Sequence, residues 1–378
     1  MNISLDNVAQ VNFNNSEIAK VYFNSTKVWE KPVAQGIYGI TWNKTNSSPI
    51  LTRTDDAANF YNPVVSVGGS AGSSPFDNIM PWKGMVKEEI DGSVMVKIPK
   101  FWYNITENSN AALTLKIANY PATGFSVSPA HMDRGDGRGE RDYVYIGRYK
   151  CSSVDLKSVS GVAPKVNGSL STFRTLCSQV GTNYHLEDFT MYWTVRMLFL
   201  VEFATWNSQA VIGGSGGNGT VYNTGLTDTI PYHTGTIANE ITLNTCGIQY
   251  RWIEQPWGNI GESIDGIIAL TSQFKIDYVF SRYNNLGNNY PITLTRPTAT
   301  NEIKNFSNNG WALAPSAVYA DNSYSTYVCD KYGYTNQVCQ LITGSTANDA
   351  SEGLFHWDTY SKTTNVSGYV GCRLMYVP

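Results

Sequence analysis

The sequence predicts an α+β fold with two helices and loop-rich β structure, preceded by a small N-terminal β-hairpin module. Three observations support this fold class. Two segments between residues 169 and 206 carry helical apolar patterns that begin at capping residues. Residues 93–105 and 143–149 have the alternating apolar and aromatic side chains that are typical of strands. The remaining sequence is rich in Gly, Asn, Thr and Tyr and contains short apolar runs bounded by turn residues.

The N-terminal module contains an internal repeat, in which Val11-Asn12-Phe13-Asn14-Asn15-Ser16-Glu17-Ile18 recurs as Val21-Tyr22-Phe23-Asn24-Ser25-Thr26-Lys27-Val28. Each copy predicts two short strands around a polar turn. Because a hairpin pair of this size cannot bury a core, we expect it to dock on copies of itself or on a larger assembly. Pro32 marks its end. The predicted divisions are residues 1–33, a connecting region at 34–90 and a main domain at 91–378.

The later elements follow from local patterns. Residues 34–90 are rich in turn residues and predict irregular structure with short strands, whereas the strands at 93–105 and 143–149 are expected to pair. Ser169 is a candidate N-cap for a helix that ends at Gly181. Asp188 is placed to cap residues 189–206, whose apolar residues cover most of the helix circumference and predict burial on several sides. No regular helix is expected after this segment, and short strands are predicted at 249–253 and 371–377.

Composition argues against several classes of function. Only 15% of the residues are charged and the net charge is -3, so the chain lacks the basic field that attracts a phosphate backbone. The first thirty residues contain no apolar run typical of a signal peptide. The most apolar segment, residues 189–206, contains Arg196 and Glu202, which would be costly in a bilayer. We therefore expect neither nucleic-acid binding nor membrane insertion.

Residues that commonly carry chemistry are scattered along the chain. The six cysteines lie far apart without zinc spacing, so free thiols are expected, although a disulfide between Cys329 and Cys339 stays open. The four histidines lie outside metal-binding and nucleophile motifs. Two glycine-serine loops match G-x-S-x-G but lack the strand and helix that expose a nucleophilic serine. These observations predict no catalytic residue, no cofactor and no metal site.

The segment between residues 317 and 369 has the composition of a binding surface. It is rich in Tyr, Asn, Ser, Thr, Asp and Gly, as in Tyr319-Ala320-Asp321-Asn322-Ser323-Tyr324 and His356-Trp357-Asp358-Thr359-Tyr360. Tyr and Trp offer large rigid contact area at low entropic cost, and Ser, Asn and Gly supply adaptable hydrogen bonds. Apolar runs at 353–355 and 371–377 hold the segment in place. The pattern predicts a display surface on a rigid frame.

Several segments together carry a family resemblance, among them Ser74-Pro75-Phe76-Asp77-Asn78, Ile98-Pro99-Lys100-Phe101-Trp102-Tyr103, Met197-Leu198-Phe199-Leu200-Val201-Glu202-Phe203 and Gly371-Cys372-Arg373-Leu374. Over nearly the whole chain they resemble tail proteins of phages and prophages of gut bacteria. The two helices, the loop-rich region and the closing strand look like the C-type lectin fold in its formylglycine-generating-enzyme branch. That branch includes the variable proteins of diversity-generating retroelements, in which the last segment is the diversified one.

The resemblance implies a receptor-binding protein of the virion tail, made in the host cytoplasm and acting without catalysis as a homotrimer. Residues 1–33 would attach to other tail proteins, and residues 91–378 would bind a host cell-surface glycan or protein. Aromatic residues are expected to anchor the contact. The predicted contact residues are Tyr319, Asn322, Tyr324, Tyr327, Tyr332, Tyr334, Asn336, Asn348, His356, Trp357, Tyr360 and Asn365.

Two other classes of function stay open. The oxidase of the same branch uses a close pair of cysteines, whereas Cys329 and Cys339 have nine residues between them and lack matching flanks. A glycan hydrolase would need two carboxylates that converge in one cleft. A purely structural tail component would retain its function after the aromatic residues of the C-terminal segment are replaced by alanine.

Overall fold

The computed structural model describes residues 11–13, 16–18, 20–23, 26–30, 34–45, 48–108, 111–320, 330–344, 346 and 349–378. The chain divides into two compact units, Met1–Gly36 and Ile37–Pro378. The first boundary therefore lies three residues beyond the predicted one. The predicted connecting region and the predicted main domain lie together in the second unit. A strand at Ile37–Asn43, in the connecting region, pairs with a strand at Ala112–Ala118, in the main domain.

The first unit contains two antiparallel strand pairs. β1 (Val11–Phe13) pairs with β2 (Ser16–Ile18), and β3 (Lys20–Phe23) pairs with β4 (Thr26–Glu30). β1 and β2 lie within the first copy of the sequence repeat, and β3 and β4 extend slightly beyond both ends of the second.

The second unit is mostly β structure, and its described residues include three α-helices. The helices are α1 (Leu170–Gln179), α2 (Phe189–Phe203) and α3 (Ser208–Ile212). The strands are β5 (Ile37–Asn43), β6 (Thr52–Asp55), β7 (Ser66–Val67), β8 (Lys87–Ile90), β9 (Ser93–Pro99), β10 (Trp102–Asn108), β11 (Ala112–Ala118), β12 (Ser126–Val127), β13 (Tyr143–Gly147), β14 (Tyr184–Leu186), β15 (Gly235–Thr236), β16 (Ile248–Tyr250), β17 (Ile253–Glu254), β18 (Gly261–Ala269), β19 (Gln273–Ile276), β20 (Ile292–Thr295), β21 (Asn301–Asn309), β22 (Ala312–Val318), β23 (Lys331–Tyr334), β24 (Cys339–Thr343), β25 (Trp357–Thr359), β26 (Val370–Gly371) and β27 (Leu374–Tyr376).

Within the described part of this unit the strands form four sheets. The largest has the order β20-β19-β18-β24-β25-β23-β21-β22, and β26 pairs with β18 outside this path. The others have the orders β12-β10-β11-β5-β6, β14-β27-β13-β9-β8 and β17-β16-β15-β7. The largest sheet contains β23, β24 and β25, so it provides the frame for most of the predicted contact segment.

Both predicted helices form, and capping explains where they start. The side chain of Ser169 accepts a hydrogen bond from the backbone N–H of Thr172, and that of Asp188 accepts from Thr190 and Met191. α2 ends at Phe203, three residues before the predicted end at residue 206, and its C-cap Ala204 has a left-handed φ of 50°. The expectation that no helix follows is wrong, because α3 begins at residue 208.

α2 is the centre of the core, since every one of its residues is buried. It contacts β5 and β11 of one sheet and β18 and β22 of another. The indole N–H of Trp82 donates to the carbonyl of Leu198 in α2 over 3.1 Å, and that of Trp193 donates to Leu313 in β22 over 2.8 Å. These two hydrogen bonds satisfy the indole donors of Trp82 and Trp193, so both rings can be buried beside α2 at little polar cost.

The closing Gly371-Cys372-Arg373-Leu374 segment ties several elements together. The buried guanidinium of Arg373 pairs with Glu262 of β18 at 2.8 Å. It also donates to the backbone carbonyls of Gly147, Arg148 and Glu254. One side chain thus fixes the C-terminal strand against three separate parts of the chain.

Long-range pairing accounts for the remaining differences from the sequence prediction. β9 pairs with β13 as expected, but the continuous pattern at 93–105 divides into β9 and β10, which belong to different sheets. Residues 34–90, predicted to be irregular, contribute the seven-residue strand β5 to the inside of a five-stranded sheet.

Candidate functional site

A cavity of about 350 Å³ opens in the C-terminal part of the second unit. Its wall is formed by β23, β24 and β25 together with residues 360–370. We call it the C-terminal cavity. Its main polar and aromatic lining side chains are Lys331, Glu352, His356, Asp358, Tyr360 and Tyr369.

Strand alternation decides which side chains face this cavity. Successive side chains of a strand point to opposite faces. His356, Asp358 and Tyr360 line the cavity, whereas Trp357 and Thr359 between them are fully buried. On the neighbouring parallel strand β23, Lys331 and Gly333 line the cavity and Tyr332 is buried. The cavity wall is therefore one face of the β23–β25 pair, and the other face belongs to the core.

Tyr360 is an exposed ring that is held in place. Its side chain is 51% exposed, and its hydroxyl is 2.7 Å from the hydroxyl of Thr300. The ring lies so close to the backbone of Gly333 that a Cβ there would approach ring carbons to 2.7 Å. The N–H of Tyr360 donates to the carboxylate of Asp358 over 2.7 Å. Little rotational freedom would be lost when a partner binds to such a ring.

Tyr369 is a second exposed ring at the same cavity, with 53% of its surface accessible. Its backbone carbonyl accepts the N–H of Gly261 at the start of β18 over 2.9 Å. Its own N–H donates to the Ser367 hydroxyl over 3.1 Å. Both tyrosines thus belong to backbone segments that are tied to the largest sheet.

His356 provides a buried hydrogen-bonding atom in the cavity wall. The side chain is 95% buried, and its Nδ1 has no hydrogen-bond partner among the described residues. Burial and the charge of Lys331 lower the pKa of His356 to about 4, so the ring is neutral near pH 7. A neutral imidazole can accept a hydrogen bond from a hydroxyl or an amide through one nitrogen. Burial raises the pKa of the neighbouring Asp358 carboxyl.

The structure separates the predicted contact residues into several groups. Tyr360 and His356 line the cavity. Tyr334 is close to this group, because its backbone N–H donates to the same Thr300 hydroxyl that the Tyr360 hydroxyl contacts. Asn336 and Asn365 are exposed, and Tyr319 is half-buried at the end of β22. Asn322, Tyr324, Tyr327 and Asn348 lie outside the described residues.

Two of the predicted contact residues require correction. Tyr332 and Trp357 are both 0% exposed. The Tyr332 hydroxyl accepts a hydrogen bond from Arg296 over 2.6 Å, and Trp357 packs against Phe189 and Tyr192 of α2. Neither side chain is accessible to a receptor in this structure, so both belong to the core.

Among the six main polar and aromatic lining residues, the sequence prediction omitted Lys331, Glu352, Asp358 and Tyr369. All four lie within the selected segment, and three of them are charged residues, which the predicted contact set did not include. Alternation along residues 356–360 is the signal that could have identified Asp358. Cys339 is a buried free thiol, while Cys329 lies outside the described residues. No helix in the described part of the chain is long and apolar enough to span a membrane.

No protein-family model and no curated protein matches the chain. Among solved structures it is similar to the "Major Tropism Determinant U1 Variant" of a Bordetella phage, with a TM-score of 0.32, 10% identity, and coverage of 97% of this chain and 78% of that one. The M1 variant gives a TM-score of 0.31 and 11% identity at the same coverage. Tropism determinants are thus among its structural neighbours, and no residue role is transferred from them at this similarity.

Proposed function

We propose that the chain is a phage tail protein that binds a host cell-surface receptor through the C-terminal cavity and its two tyrosines. The observation that supports this most directly is the pair of half-exposed rings, Tyr360 and Tyr369, on anchored backbone beside a polar cavity. Large aromatic side chains that are fixed before binding are typical anchors of protein interfaces.

The proposed mechanism is binding without catalysis. Tyr360 and Tyr369 would pack against the receptor, and polar groups in the cavity would form hydrogen bonds with the receptor. Nδ1 of His356 would accept one hydrogen bond, the Asp358 carboxyl another, and Lys331 would donate. Such a site suits an uncharged polar ligand, as both a glycan and a protein loop can present. Several copies on one particle would offset weak binding at each site.

The assembly is part of the same proposal. Residues 1–33 would join the chain to other tail proteins, and three copies would form a homotrimer on the virion tail. A repeated strand pair too small to bury its own core is consistent with attachment to a larger structure. Light scattering on the purified chain tests the trimer, and a mass of one or two chains would contradict it.

Adsorption to bacteria tests the binding proposal. The labelled chain is incubated with a panel of intact gut bacteria, and strains that retain it are used to compare variants. Tyr360→Ala and Tyr369→Ala should each reduce adsorption at least about tenfold, as expected for an interface anchor. Tyr61→Ala is the matched control, because Tyr61 is 56% exposed and lies outside the cavity lining. Unchanged adsorption in the Tyr360/Tyr369 double variant would favour a purely structural tail component.

One observation favours glycan hydrolysis as a second candidate function. Glu352 and Asp358 line the same cavity, and burial raises the pKa of Asp358, as required of a proton donor. Asp358→Asn would then abolish release of sugar from host envelope material while leaving adsorption intact. Under the binding proposal no sugar is released by the wild-type chain, so the two functions are distinguished by that product alone.

A further inference from the structure

Three buried cysteine thiols meet in the second unit. Cys151 follows β13, Cys177 lies in α1 and Cys372 precedes β27. Their Sγ atoms all lie within 4.8 Å of one another, and those of Cys151 and Cys177 are 4.0 Å apart. We propose that this cysteine triad binds one soft, thiophilic cation through three thiolates.

The distances fit such a cation. A metal–thiolate bond is about 2.3 Å long, so three sulfurs in one plane around a central ion lie roughly 4.0 Å apart. The Cys151–Cys177 separation already has this value, and the 4.8 Å limit on the other pairs requires only a small side-chain adjustment. All three side chains are 0% exposed, so the fold holds them together and no loop has to close.

The surroundings favour a three-coordinate cation. Among the described residues no His, Asp or Glu joins the three thiols as a further ligand. Their neighbours in the core are apolar, including Met95, Phe173 and Leu374. Structural zinc sites almost always use four protein ligands, whereas soft thiolate ligands also select monovalent copper. Monovalent copper therefore fits this site better than zinc.

Two buried positive side chains are sequence neighbours of triad residues. Lys150 and Arg373, which adjoin Cys151 and Cys372 in sequence, pair with the single carboxylate of Glu262 at 2.9 and 2.8 Å. On binding, three S–H protons pass to the solvent, three metal–sulfur bonds form and no electron is transferred. The bound cation would join α1 to the closing segment of the chain.

Direct metal titration tests the proposal. The full-length chain is purified under reducing conditions, freed of metal and titrated separately with monovalent copper and with zinc. Thiolate-to-metal absorption in the ultraviolet and the metal content after desalting are measured. Cys177→Ser and Cys372→Ser are the test variants. Cys246→Ser and Cys339→Ser are matched controls, because both thiols are free and buried but lie outside the triad.

The expected result is one equivalent of copper per chain in the wild type and both controls, with loss of uptake in either triad variant. Preferential uptake of one equivalent of zinc would contradict the proposal of a three-coordinate copper site and would indicate a four-coordinate zinc site instead. Equal uptake by wild type and triad variants, or none by the wild type, would overturn the site and leave the thiols as small apolar packing groups. If the serine variants fail to fold, the number of sulfur atoms bound to copper in the wild-type chain, measured by X-ray absorption, decides the question: three support the triad and fewer overturn it.

Discussion

A methyl group added at Gly333 should detach Tyr360 from the cavity wall without disturbing the core. The Cβ of Gly333→Ala would lie 2.7 Å from one carbon of the Tyr360 ring and 2.8 Å from a second. Because this ring is half-exposed, it can turn toward solvent and give up its contact with Thr300. The lost hydrogen bond corresponds to about 1 kcal/mol of unfolding free energy. The loss of one interface anchor corresponds to about 2 kcal/mol of binding free energy, which is roughly a thirtyfold weaker affinity.

The assay compares adsorption and stability in the same variants. Gly333→Ala should weaken adsorption to the same extent as Tyr360→Ala, while its unfolding free energy changes by about 1 kcal/mol or less. Gly310→Ala is the matched control, because Gly310 lies outside the cavity lining, no described atom lies within 4 Å of its added Cβ, and its left-handed φ of 62° gives the variant a small loss of stability of its own. Wild-type adsorption by Gly333→Ala together with a strong defect in Tyr360→Ala would show that the position of the ring is unimportant. Wild-type adsorption by both variants would refute the role of Tyr360 itself.

Three further outcomes follow from burial and alternation. Trp357→Ala should lower the unfolding free energy by about 3–5 kcal/mol in urea denaturation, because it empties a buried aromatic site in contact with α2. Burial lowers the pKa of His131 from 6.5 to about 4, so the stability linked to its neutral form is complete above pH 6.5 and is lost as the pH falls toward 4. His131→Gln should therefore reduce the difference in unfolding free energy between pH 7 and pH 4 by about 3 kcal/mol. Sister sequences from one phage population should vary at positions 356, 358 and 360 more than at 357, and even variation would contradict a diversified site.

The helices could be predicted from sequence because their signals are local. Ser169 and Asp188 each cap a helix through a side chain two or three residues from the N–H groups it accepts. The apolar residues that cover most of the circumference of residues 189–206 also predicted burial on several sides, and every residue of α2 is buried. Such patterns need no knowledge of the rest of the chain.

Features that depend on distant contacts could not be predicted in this way. β5 is an inner strand because β11, about seventy residues later, pairs with it on one side and β6 on the other. Its own sequence is short and contains no sign of either partner. The cysteine triad likewise joins residues from three widely separated segments, so their sequence spacing gave no indication of a cluster.

The errors along β23 and β25 share one physical cause. Amino-acid composition predicted a contact surface at residues 356–360 but treated neighbouring side chains as equivalent. In a strand they are not equivalent, because consecutive side chains face opposite sides of the sheet. Trp357 had to be on the core side, since a large apolar ring gains most from burial, and this placement fixes His356, Asp358 and Tyr360 on the cavity side. The same register places Gly333 beside Asp358 on the parallel strand, which explains why the smallest residue lies where the Tyr360 ring crosses the sheet.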